Sequence, residues 1–150
     1  MLLLTRVAMR RLKILFLCTG NSCRSQMAEG WARQLKGETI EAYSAGTVKH
    51  GMNERAVRVM AEAGVDISGH SSKTIDELPG QEFDYAITLC GHANESCPLF
   101  PGNVKRLHQG FDDPPKLAAE AKSEEEALAH YRRVRDEIRT FIEGMPENLG

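Results

Sequence analysis

The chain has 150 residues, 41% hydrophobic and 27% charged, the make-up of one folded domain and not of a disordered, collagen-like or coiled-coil chain. Lys and Arg number 19 against 21 Asp and Glu, a net charge of -2, so no basic excess exists to hold a nucleic acid backbone. No apolar run approaches the roughly 18 residues that a membrane span needs.

Residues 1–9 begin with Met1-Leu2-Leu3-Leu4, but Arg6 interrupts the run. A secretion signal carries its charge ahead of a longer apolar stretch. The segment is expected to be a disordered extension, or to precede a start at Met9, ahead of a single domain over residues 10–150. A chain without an export signal is expected in the cytoplasm, where thiols stay reduced. Its four Cys then point to chemistry or metal before structural disulfides.

Residues 12–17 form a near-continuous apolar run, as in a strand buried on both faces of a parallel sheet. From Ser25 to Lys36, the positions Met27, Ala28, Trp31, Ala32 and Leu35 recur at helical spacing, and Gly37 stands at the C-cap. Ile40, Ala42 and Ser44 alternate as a second strand. Asn53 caps a helix through Ala63, which Gly64 ends. Thr74 and Glu77 make a capping box for a short helical turn. Phe83 to Leu89 reads as a third strand and Val104 to Leu107 as a weaker fourth. Ser123 with Glu126 is a second box, opening a long amphipathic helix. Its buried stripe is Leu128, Tyr131, Val134, Ile138, Phe141 or Ile142, and Met145. The charges of residues 122–126, and Arg132, Arg133 and Arg135, read as solvated helix surface. Strands alternating with helices predict a doubly wound α/β domain with a parallel sheet.

Between the first strand and the first helix stands Cys18-Thr19-Gly20-Asn21-Ser22-Cys23-Arg24-Ser25. Ligands of open α/β sheets bind beyond the carboxyl ends of the strands. A helix N-terminus there offers free N–H groups and a positive dipole end, so a loop curling around it cradles an oxyanion. The dipole and Arg24 are expected to favour the thiolate of Cys18. Arg24 offers a planar fork to a tetrahedral anion, and Ser25 a hydrogen bond to the sulfur. Gly20 and Asn21 are expected to adopt unusual backbone angles in this tight loop.

This loop resembles the phosphate-binding loop of the low-molecular-weight protein tyrosine phosphatases. The longer string from Cys18 to Trp31 looks like that of the thioredoxin-coupled arsenate reductases built on the same fold. Further matches are Tyr43 to Gly46, Thr88 to Cys90, Cys97-Pro98, Gly110 to Pro114 and Arg133 to Ile138. The resemblance implies a four-stranded parallel sheet of order 2-1-3-4 with helices on both faces. Strands one and three are then neighbours roughly 4.8 Å apart, so Cys18 and Cys90, each following one of them, lie within disulfide reach. Cys90 and Cys97, on a helix, would stand ~10 Å apart, beyond disulfide range. Gly91, Asn94 and Pro98 disfavour such a helix, leaving a segment able to loop out. A relay of Cys18, Cys90 and Cys97 by thiol–disulfide exchange follows, and the resemblance implies these same three roles.

The resemblance assigns the general acid to Asp113, the Asp directly before Pro114, rather than to Asp112. It makes arsenate the substrate, phosphate and sulfate competing anions, and thioredoxin the reductant, with no flavin, nicotinamide or metal. The phosphatases tend to have aromatics after this Pro and a Pro at the place of Gln26. Pro115, Lys116 and Gln26 point instead to a small inorganic anion. Cys23 reads as structural, and His70 either as a brace for the loop or as an ordinary structural histidine. Glu29 and Ser44 match positions that hold a structural potassium in some members. Lys73 replaces the acidic residue expected with them, and its ammonium would repel or replace the cation. A monomer is expected. Three alternatives stay open: a phosphomonoesterase, an anion or redox sensor, and a zinc site using Cys90, Cys97, His92 and His108. The last lacks the close Cys pairs typical of structural zinc. His50 and His130 carry no assignment.

Overall fold

The computed structural model describes residues 10–80, 82–91 and 103–150. The extension over 1–9, Cys97 and the loop expected around it lie outside the described residues. Strand β1 (Leu12–Cys18) is the centre of the fold. Its Ile14, Leu15, Phe16 and Leu17 are at most 1% exposed. Successive strand residues point to opposite faces, so both faces of β1 are covered, as an apolar run without alternation requires. Around it stand β2 (Ile40–Gly46), β3 (Tyr85–Thr88) and β4 (Lys105–His108) in the order β2-β1-β3-β4, all parallel.

Helix α1 (Arg24–Lys36) packs on β1 and β2. Helix α2 (Glu54–Glu62) packs on α4 (Glu124–Glu143), which also covers α1 and α3 (Pro114–Ala118). Trp31, 2% exposed, joins α1 to α4 by donating its indole N–H to the Arg135 carbonyl at 3.1 Å. The stripe of α4 resolves in favour of Ile142, fully buried with Met145, while Phe141 is half-buried.

Several boundaries move from the sequence reading, each for a local reason. The third strand is shorter than Phe83–Leu89. Leu89 still donates to the Leu17 carbonyl at 2.8 Å, but the chain then turns out to Cys90. The fourth strand starts at Lys105 and has three exposed residues, the character of an edge. The Thr74–Glu77 box is complete and caps a 3-10 turn, Ile75–Glu77. The second box is half made. Ser123 accepts from the Glu126 N–H, but the Glu126 carboxylate takes the N–H of Lys122 instead. Asp113-Pro114-Pro115 opens α3, with proline at the position where a missing N–H costs nothing.

The register puts the working ends of the strands level. Cys18 pairs with Gly46, Leu17 with Thr88, and Thr88 with His108. The segments that leave the strands, at residues 19–23, 47–53, 89–91 and 109–113, therefore emerge along one edge of the sheet.

Candidate active site

Backbone geometry turns the loop after β1 into a cradle. Asn21 sits at φ 49°, the only described non-glycine residue with positive φ. Gly20 does not share this conformation, contrary to expectation. It is needed for space, since a Cβ there would fall 2.2 Å from His50 Nδ1. The segment after β2 takes up the loop's carbonyls. Thr19 O accepts the N–H groups of Thr47 and Val48, Gly20 O that of His50, and Ser22 O that of Asn53, at 2.9 to 3.1 Å. The N–H groups of residues 19–23 meet no backbone acceptor among the described residues. With the carbonyls drawn outward, those donors are left for a ligand.

The cavity at this point measures about 420 Å³ and is lined by Cys18, Thr19, Gly20, Ser22, Arg24 and Asp113, with His50, Met52 and Pro115 among its walls. Cys18 is 4% exposed, and its Sγ lies 2.9 Å from Ser25 Oγ. Arg24, the first residue of α1, donates to the Phe111 carbonyl at 2.9 Å and stands 3.6 Å from Asp113. That pairing brings the proposed acid, from the segment after β4, over the loop. Cys23 is 4% exposed, and burial above all pushes its thiol well above the ordinary value, so it stays protonated. Cys90, 7% exposed, places its sulfur 3.3 Å from Thr19 Oγ1, so the second predicted sulfur meets the anion loop itself.

Beneath the loop, Asn21, Ser25 and Gln26 are fully buried. His70 Nδ1 lies 2.9 Å from Gln26 Oε1, so His70 reaches the loop residues only by way of Gln26. Glu29 accepts from Ser44 at 2.5 Å and pairs with Arg33 at 2.8 Å. Burial lowers the pKa of Lys73, against the attraction of Glu29. One carboxylate, already satisfied by a hydroxyl and a guanidinium and flanked by an ammonium, does not fit a potassium site.

Three functional positions escaped the sequence. His50 rims the cavity, Phe111 anchors Arg24 through its carbonyl, and Gln26 does more than mark the absence of a proline. No local pattern announces the first two, because tertiary contacts alone place them. Gln26 follows Ser25 directly and stands five residues after Asn21, and all three are fully buried, a polar cluster whose residue types could have drawn attention.

Comparison with known proteins agrees with this geometry. A 52% identical relative over 139 residues, covering 90% of this chain and 98% of the relative, is the arsenate reductase of Halalkalibacterium halodurans. The arsenate reductase of Bacillus subtilis is 53% identical over 125 residues, 83% of this chain and 88% of that one. Among solved structures, an arsenate reductase in the phosphate binding state superposes with a TM-score of 0.72 at 29% identity, over 93% of this chain and 99% of that one. The low molecular weight protein tyrosine phosphatase from T. tengcongensis gives 0.69 at 27% identity, over 91% and 99%. Residues 13–150 match a single family from the strand that leads into the Cys18 loop to the last residue, and the chain belongs to the low molecular weight phosphotyrosine protein phosphatase family.

Proposed function

We propose that this protein reduces arsenate to arsenite by a cysteine relay. Cys18 thiolate attacks arsenate held by the loop N–H groups and Arg24, forming an S–As bond. Asp113 protonates the departing oxygen, which leaves as water; general acids of this kind contribute typically 10²–10⁴-fold. Cys90 thiolate then attacks the Cys18 sulfur. The S–S bond forms, the S–As electron pair stays on arsenic, and arsenite departs with two more electrons than arsenate. Cys97 thiolate attacks Cys90, releasing Cys18 thiolate and leaving a Cys90–Cys97 disulfide. The dithiol of a thioredoxin returns two electrons to that disulfide. No step needs a metal, flavin or nicotinamide bound to this chain, and a cytoplasmic monomer suffices.

The observation that carries this reading is the Cys90 sulfur 3.3 Å from the Thr19 hydroxyl. An ester hydrolase has no use for a second sulfur there, because water completes its cycle. The hydroxyl can donate to the Cys90 thiolate and hold it at the loop. The names of the two relatives, both arsenate reductases, support the same substrate. Phosphate and sulfate, tetrahedral like arsenate, are expected to compete.

The phosphatase reading shares the cradle, and one assay separates the two. NADPH oxidation is followed with thioredoxin, thioredoxin reductase and arsenate, beside hydrolysis of p-nitrophenyl phosphate. Arsenate-dependent oxidation is expected, lost in Cys90→Ser and Cys97→Ser, while ester hydrolysis survives both substitutions. Brisk hydrolysis without any oxidation in the unaltered protein would assign the loop to a phosphatase. Full turnover by Cys97→Ser would remove the third sulfur from the relay.

A further inference from the structure

The buried side chains under the loop are joined by hydrogen bonds whose direction backbone groups fix. The Lys73 N–H can only donate, and it meets Asn21 Oδ1 at 2.9 Å. The Asn21 amide nitrogen is therefore the end that faces Ser25 Oγ, at 2.8 Å. One end of the Gln26 amide meets three oxygens: the Asn21 carbonyl at 3.2 Å, Asn21 Oδ1 at 3.0 Å and the Ser71 carbonyl at 3.1 Å. Only an NH₂ satisfies that set. The Gln26 oxygen is then the atom 2.9 Å from His70 Nδ1, so Nδ1 carries a hydrogen. At the opposite end, Ser25 Oγ already accepts from Asn21. Its own hydrogen is left for Cys18 Sγ at 2.9 Å. His70, Gln26, Asn21 and Ser25 thus each donate one step closer to the nucleophile.

We propose that Gln26 is a positioning residue for Cys18: it locks the Asn21 amide and thereby aims the Ser25 hydroxyl hydrogen at the sulfur, with His70 held as its Nδ1–H tautomer at the outer end of the chain. A donated hydrogen bond favours thiolate over thiol, because the thiol is the weaker acceptor. Asn21, Ser25 and Gln26 are all 0% exposed, so water does not compete for any of these links. A reversed Gln26 would set its oxygen against three others. Around His70 stand Glu29 and Arg33 of α1, and Lys73 and Asp66 of its own segment. The Glu29 carboxylate lies 3.9 Å from Nδ1, on the side of the hydrogen assigned here. Burial is the main influence on this imidazole and favours its neutral form, in which one nitrogen alone carries the hydrogen.

The inference rests on the proposed function only in taking Cys18 as the nucleophile, and its test needs no arsenate. Two-bond ¹⁵N–¹H NMR of the unaltered protein above neutral pH reads the tautomer directly. A protonated Nδ1 with a bare Nε2 is expected, and the reverse overturns the chain. Gln26→Met keeps length and removes the amide. Iodoacetamide alkylation of Cys18 at mildly acidic pH, followed by peptide mapping, is expected to slow about tenfold, since fewer sulfurs are then held as thiolate. On a Ser25→Ala background the same substitution is expected to change the rate little, since the hydroxyl it aims is gone. An unchanged rate in folded Gln26→Met, or an equal loss on both backgrounds, overturns the proposal. Failure of arsenate turnover would leave all three readouts as they are.

Discussion

Gly20 and His50 divide one small volume at the rim of the anion site. A Cβ on Gly20 would meet Nδ1, Cγ and Cβ of His50 at 2.2, 2.5 and 2.9 Å, and these are the three nearest atoms. Gly20→Ala is therefore expected to displace the imidazole before it disturbs the loop. A double-mutant cycle with His50→Ala, read by phosphate binding, should show a coupling of about 1–2 kcal/mol, as contacting residues do. Additivity within about 0.5 kcal/mol would dissolve the link between them. Gly46 is a different case, because its Cβ would strike backbone, with Thr19 O and Val48 O at 2.7 Å and Asn21 N at 2.8 Å. No partner substitution relieves that. Cys18, Arg24 and Ser25 stood out in the sequence because each sits at a fixed offset from the end of the first strand, while Asp113 was chosen over Asp112 by the family resemblance alone. His50 did not stand out, because its place over Gly20 is set by a backbone bond from another segment.

At the scale of elements, Asn53 joins three of them. Its side chain caps α2 by accepting from the Ala56 N–H, and donates to the Tyr131 hydroxyl of α4 at 3.0 Å. Its N–H holds the Ser22 carbonyl of the loop. Asn53→Ala removes the cap, at about 1 kcal/mol, and a hydrogen bond worth roughly as much again. Urea unfolding is expected to show a loss near ~2 kcal/mol with an unchanged slope, and Asn53→Asp should retain the cap's share. A loss below ~0.5 kcal/mol would show that neither bond matters to stability. Caps of this kind were readable because they depend on residues three apart. The ends of β3 and β4 were not, because strand limits follow the partner strand: β4 pairs only where β3 has residues to offer. Helix α3 hid behind Asp113-Pro114-Pro115, a string that serves a turn and a helix start equally well.

Across the whole molecule, α2 and α4 are also tied by charge. The Arg132 guanidinium holds the Glu62 carboxyl down at about 2, with a bidentate contact at 2.9 Å. A carboxyl that binds its proton more weakly when folded adds stability above the unfolded pKa, near ~4.3. That contribution is lost as pH falls from there towards 2. Melting temperature is therefore expected to drop over this interval, and to drop less steeply in Arg132→Ala. Identical acid limbs in the two proteins would show that Glu62 keeps no memory of its partner when folded. The parallel sheet itself was visible in the alternation of strands and helices. The lacing of the loop by residues 47–53 was not, because long-range backbone bonds leave no trace in side-chain pattern.

The ion pairs Arg10–Asp84 and Arg11–Glu41 mark the end of the sheet where the strands begin, while everything that meets the anion stands where they finish. This polarity gives the molecule a front and a back. A surface attachment made at exposed Glu82, beside Asp84, would leave the cavity pointing away from the support, so a film of the protein on a bead or an electrode would present its anion sites to the liquid without any need to redesign the face that works.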